Sequence, residues 1–210
     1  MPIFKEITTK NGSKIAVWQI AESLLDLEQF TQLQDTKDYQ NIVHEQRSLQ
    51  WLAARAALKT VLPSHHRIDK DHHGKPHALT EIQKEHISLS HCNSFAAAMT
   101  GPSHVGIDIE EVTPRIERIA NRFLHTSEHD LISSNNRLED LFLIWSAKEA
   151  VYKSYGKRAV DFAQHMRVIS SLRNAENQFD VEFSKHEVVT YLVHYELFDG
   201  HVLVWVEGGL

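Results

Sequence analysis

The sequence predicts an α+β fold of two similar lobes, each a long helix packed on an antiparallel sheet, related by a pseudo-twofold. Three observations carry this. Residues 38–61 and 137–157 both space their apolar side chains at a helical period. Each is followed by short segments of strand character, over 86–110 after the first and 165–207 after the second. A chain of 210 residues, 42% hydrophobic and 24% charged, is long enough to bury a substantial core. The lobes are placed at 1–104 and 105–210 as one two-lobed unit, with a functional site expected at their seam.

Residues 3–8 and 14–20 alternate apolar and polar around Asn11-Gly12, a hairpin signal. Residues 38–61 read as one long helix ended by Pro63, with Ile42, Leu49, Leu52, Ala53, Ala56 and Ala57 on its apolar positions. Residues 86–90, 94–100 and 104–110 read as strands broken by "SHCN" and "GPS". Two short helices are expected at 115–123 and 127–133, the second capped by Thr126 or Ser127. The helix over 137–157 ends at Gly156 and is dense in apolar residues, which predicts burial. Strands are expected at 165–170, 178–184, 187–196 and 201–207.

A formal net charge of −6 argues against a general nucleic-acid binder. No run of eighteen apolar residues exists, so no membrane partner is expected. The N-terminus carries acids and bases too early for a secretory signal, and the lone Cys92 fits a reducing compartment, so a cytoplasmic setting is expected. Fifteen histidines are unusual, and four fall as pairs in "SHHRIDKDHHGKPH"; they are read as solvated loop histidines in preference to a metal site, since no Cys or regular ligand spacing supports zinc.

The stretch "VGIDIEEV" places Asp108 and Glu110 on one face of a strand, with Cα atoms roughly 6.6 Å apart. Two anions that close need a cation, a proton or water between them. On the second long helix, in "WSAKEAVYK", Glu149 and Lys153 stand four apart on one face. Either pattern alone also describes ordinary solvated acids or a helix ion pair. Three carboxylates converging from a strand and a helix would make an all-oxygen site suited to Mg²⁺, completed by substrate phosphates. Bases for phosphate are offered by Lys75 in the "GKP" turn, Ser90 and His91 at a strand end, and Arg55 on the first long helix.

In this order the residues resemble the 4′-phosphopantetheinyl transferase superfamily, in its monomeric two-lobed class. The matching pieces are "WLAAR", "GKP", "ISLSHC", "VGIDIE", "RFLHTSEHDLI" and "WSAKEAVYKSYGKR", spanning residues 51–158. The resemblance implies transfer of the phosphopantetheine arm of coenzyme A to a serine of an apo acyl or peptidyl carrier protein, releasing adenosine 3′,5′-bisphosphate. It implies Mg²⁺ held by Asp108, Glu110 and Glu149, and Lys153 beside them at the catalytic centre. Ser90, His91 and Lys75 match positions that contact coenzyme A phosphates, and Arg55 is assigned with them. The three arginines of "TPRIERIANRF", Arg115, Arg118 and Arg122, are one docking candidate for an acidic carrier. Two other readings stand beside this one: a non-catalytic binder of coenzyme A or a carrier protein, and a metal-dependent nuclease. The acidic chain and the helical spacing of Glu149 and Lys153 count against the nuclease.

Overall fold

Asn11-Gly12 turns the chain back on itself as expected. β1 (Ile3–Thr8) and β2 (Lys14–Gln19) pair antiparallel. Thr9 N–H donates to Ser13 O and Gly12 N–H to Thr9 O, with Gly12 at φ +85° in the left-handed region that a residue without Cβ adopts cheaply. The structure is a computed structural model that describes residues 3–33, 36–62, 66–80 and 84–208.

The helix expected over 38–61 is two pieces. α1 (Leu24–Thr31) precedes it, capped by Ser23 and Asp26; then come α2 (Lys37–Gln40) and α3 (Glu45–Val61). The interruption falls at 41–44, where Asn41 and the β-branched Ile42 and Val43 are poor helix formers. Val43 is 90% exposed, so no burial offsets that weakness, and His44 enters α3 in an extended conformation. Pro63, expected to end the helix, lies outside the described residues, as does His65. α3 lays Leu52, Ala53, Ala56 and Ala57 against Trp18, Ile87, Ala96 and Ala98, where small side chains on both surfaces bring helix and sheet close.

The histidine-rich segment is not one loop. It contains β3 (His66–Lys70) and β4 (Pro76–Thr80), followed by β5 (Lys84–His91) and β6 (Phe95–Gly101). Sequences such as "HRIDK" have few apolar residues and no clean alternation, so their strand character comes from pairing in the sheet. The order of this first sheet is β1-β2-β6-β5-β4-β3.

The second sheet is built from β7 (Val105–Glu111), β8 (Met166–Val168), β9 (Gln178–Phe183), β10 (Val189–Phe198) and β11 (His201–Glu207), in the order β7-β11-β10-β9-β8. Between β7 and β8 run a 3-10 turn at Pro114–Arg118, α4 (Ala120–Phe123), a second 3-10 turn at Thr126–Leu131, α5 (Arg137–Tyr155) and α6 (Phe162–His165). The second turn is capped by His125, not Thr126 or Ser127. The His125 ring accepts from Ser127 N–H while the Glu128 carboxylate accepts from His125 N–H.

The fold is therefore α+β, with two antiparallel sheets and their helices. The chain divides into two compact units: Met1–Asp69 with Pro76–Pro102, and Lys70–Lys75 with Ser103–Leu210. No helix among the described residues is long and apolar enough to cross a membrane.

Candidate active site

The site is built on β7. Its register against β11 sets Gly106 opposite Val206, Asp108 opposite Val204 and Glu110 opposite Val202. Directly paired residues share a face, and these valines belong to the core cluster that α5 fills with Leu143, Ala147, Ala150 and Val151. Gly106, Asp108 and Glu110 therefore face α5, while Val105, Ile107 and Ile109 are buried on the other face.

Gly106 allows the approach. A Cβ there would lie 1.9 Å from Ala150 O and 3.0 Å from Ser154 N, both backbone atoms of α5. An isolated glycine in an apolar strand is the sequence mark of such close contact. Gly106→Ala is expected to push helix and strand apart and to lower the melting temperature, because the added Cβ would overlap the Ala150 carbonyl. A melting curve checks this, and an alanine variant as stable as the wild type would mean that the close helix seat is not required.

Along α5 the residues facing β7 are Trp145, Glu149 and Lys153. Four helical residues rise about 6.0 Å, close to the roughly 6.6 Å of two strand residues, so helix stripe and strand face stay in step. Lys153 Nζ donates to Asp108 Oδ1 at 2.7 Å and to Ile107 O at 2.9 Å. Trp145 Nε1 donates to Glu110 Oε1 at 3.3 Å. Glu149 stands between these two contacts in the helix.

The charges feel one another. Burial and then the charge of Asp108 raise Glu110, with Trp145, Arg115 and Lys153 opposing. Glu149 is pushed up to about 7 by burial first and then by Asp108, Lys153 opposing and Glu110 adding. Three carboxylates thus share one electrostatic neighbourhood. Among the described residues, no group of three or more His, Cys, Asp or Glu side chains is disposed to hold a metal ion by itself. The Lys153 ammonium pairs with Asp108 at 2.7 Å.

The other predicted residues fall in several places. Ser90 is buried near the end of β5, and His91 is exposed at that end. Arg55 stacks its guanidinium 3.3 Å from the Trp51 ring centroid and donates to Trp51 O. Burial pulls it down to about 9, with Asp38 opposing. Lys75 is held at the C-terminal end of α5, where its Nζ donates to Ser154 O. Of the docking arginines, Arg115 pairs with Glu110 at 3.1 Å, while Arg118 and Arg122 are exposed.

Sequence reasoning missed Trp145 as a donor, because an indole amid apolar residues reads as core. It also missed the buried pair Lys148–Glu128. Their neighbours in the sequence give no sign that residues twenty apart meet.

Comparison with known proteins gives the family. A model of the 4′-phosphopantetheinyl transferase superfamily matches residues 104–206, which hold β7, α5 and all three carboxylates. The 4′-phosphopantetheinyl transferase AcpT of Escherichia coli K12 is 32% identical over 142 residues, 62% of this chain and 72% of that protein. The chain belongs to the 4′-phosphopantetheinyl transferase superfamily. Two other phosphopantetheinyl transferases give fainter or shorter matches. The transferase ffp of Bacillus subtilis is 23% identical over 75% of this chain and 73% of its own length. The transferase psf-1 of Bacillus pumilus is 38% identical over 40% of this chain, a match that spans only 37% of psf-1.

Proposed function

We propose that the protein transfers the 4′-phosphopantetheine arm of coenzyme A to a serine of an apo acyl or peptidyl carrier protein, releasing adenosine 3′,5′-bisphosphate. The observation that carries this is the stripe of Trp145, Glu149 and Lys153 set against Asp108 and Glu110, in a chain of this family. The protein is proposed to act as a monomer in the cytoplasm.

The donor set fits Mg²⁺ in kind. It is anionic and all oxygen, and beyond burial the charge of Asp108 raises both Glu110 and Glu149, as happens where a cation is wanted between carboxylates. Mg²⁺ is commonly held by one or two carboxylates, with waters and substrate phosphates completing the octahedron. Asp108, Glu110 and Glu149 would hold it. Bound there, it would neutralise the diphosphate and stabilise charge on the leaving bisphosphate.

The protein's own groups do the rest. Glu149 accepts the proton of the attacking serine. Lys153, one turn on, supplies positive charge where phosphate charge develops. Trp145 and Arg115 fix the two oxygens of Glu110, which keeps that carboxylate from turning away. Ser90, His91 and Arg55 are the proposed contacts to the phosphates of coenzyme A.

The test is the mass of an apo carrier protein after incubation with the enzyme, coenzyme A and Mg²⁺. The carrier should gain one phosphopantetheine at a single serine. If a panel of apo carriers gains nothing while coenzyme A still binds, the chain is a binding module and the transfer reading fails.

A further inference from the structure

We infer that Lys75 is a positioning residue that locks the last turn of α5, and with it Lys153, instead of a ligand of coenzyme A phosphate. Its kinetic consequence rests on the transfer reaction proposed above; the lock itself does not.

The turn before Lys75 aims it. Asp71 Oδ1 accepts from the N–H groups of His73 and Lys75, and Asp71 N–H donates to Lys75 O. Gly74 takes φ +90°, which completes the turn. A second tether joins this segment to the end of α5, where Arg158 Nε donates to His73 O at 3.2 Å.

From this turn the Lys75 side chain closes a ring of contacts. Its Nζ donates to Ser154 O at 2.5 Å and lies 3.0 Å from His104 Nδ1. Ser154 Oγ donates to Gly208 O at 2.7 Å, and Gly208 N–H donates to His104 O at 2.8 Å. The ring therefore runs Lys75, Ser154, Gly208, His104 and back. It ties the end of α5 to the residue before β7 and the residue after β11.

Two features of α5 suit this role. Ser154 O is among the last four carbonyls of the helix, which lack an intrahelical partner, and a lysine there also complements the helix dipole. Gly156, the cap at φ +73°, has no Cβ, and one built there would lie 2.3 Å from Lys75 Cδ. The glycine thus serves both the left-handed cap and the passage of the lysine stem. Lys153 is the neighbour of Ser154, and its ammonium reaches Asp108 only if this last turn holds its geometry.

Two experiments test the inference. Steady-state kinetics of Lys75→Met, which keeps the stem and removes the donor, should show kcat lowered roughly ten-fold with KM for coenzyme A changed by less than about two-fold. A KM raised roughly ten-fold at unchanged kcat would make Lys75 a phosphate ligand and overturn the inference. The second is a double-mutant cycle on melting temperature with Lys75→Ala and Gly156→Ala. The glycine substitution should cost clearly less in the Lys75→Ala background, since truncating the stem makes room for the new Cβ. Strictly additive shifts would mean that the two side chains do not meet, and the lock would be wrong. If the wild-type protein transfers nothing to any carrier, the reaction reading fails and the cycle alone decides the lock.

Discussion

Asp108→Ala is expected to lower transfer by roughly 10²–10³-fold or more while the protein stays folded. The carboxylate is the buried member of the acidic trio and the partner of Lys153 at 2.7 Å. Removing it takes away one proposed Mg²⁺ ligand and the anchor that orients the lysine. Breaking a buried pair usually destabilises by leaving a charge uncompensated. Here Glu110 and Glu149 remain to face Lys153, and both lose the repulsion that Asp108 imposes. A melting temperature near that of the wild type with turnover almost gone is the expected pair of results. Near-normal turnover would remove Asp108 from the catalytic assignment.

Lys148→Met should cost stability on a larger scale, about 3–5 kcal/mol. Lys148 and Glu128 are both fully buried. The ammonium donates to Glu128 Oε2 at 2.7 Å, Phe123 O at 2.6 Å and Phe162 O at 3.2 Å, which uses all three of its protons. Glu128 also accepts from His125 N–H and Val168 N–H. One ion pair thus joins α4, the second 3-10 turn, α5, α6 and β8. Burial lowers the lysine, with Glu128 opposing, so the pair persists because its geometry is complete. Methionine would leave Glu128 a buried carboxylate with only backbone donors. Urea unfolding measures the loss; a change below about 1 kcal/mol would show that the pair is not a keystone of this unit.

How far the sequence could be read depended on periodicity. β7 and α5 were legible because a period of two and a dense helical pattern leave few alternatives, and their acids were legible as misfits within those patterns. β3 and β4 were not, since "HRIDK" and "PHALT" become strands only by pairing within a sheet. The break at 41–44 was hidden because Ile42 fits the helical period although its neighbourhood has low helix propensity. For Lys75, the motif "GKP" marked the turn, but where the ammonium points depends on Ser154 and His104, which are distant in sequence. Lys148 carried no signal, because a lysine inside "WSAKEAVYK" looks like a solvated helix residue until Glu128 is brought beneath it.

Calorimetric titration of Mg²⁺ into the protein, with and without coenzyme A, decides whether Asp108, Glu110 and Glu149 hold the ion. One Mg²⁺ per chain is expected, bound more tightly when the diphosphate is present, and lost in both Asp108→Ala and Glu149→Gln. Mg²⁺ binding that is absent from the wild-type protein with coenzyme A, or that survives both substitutions, would contradict that assignment.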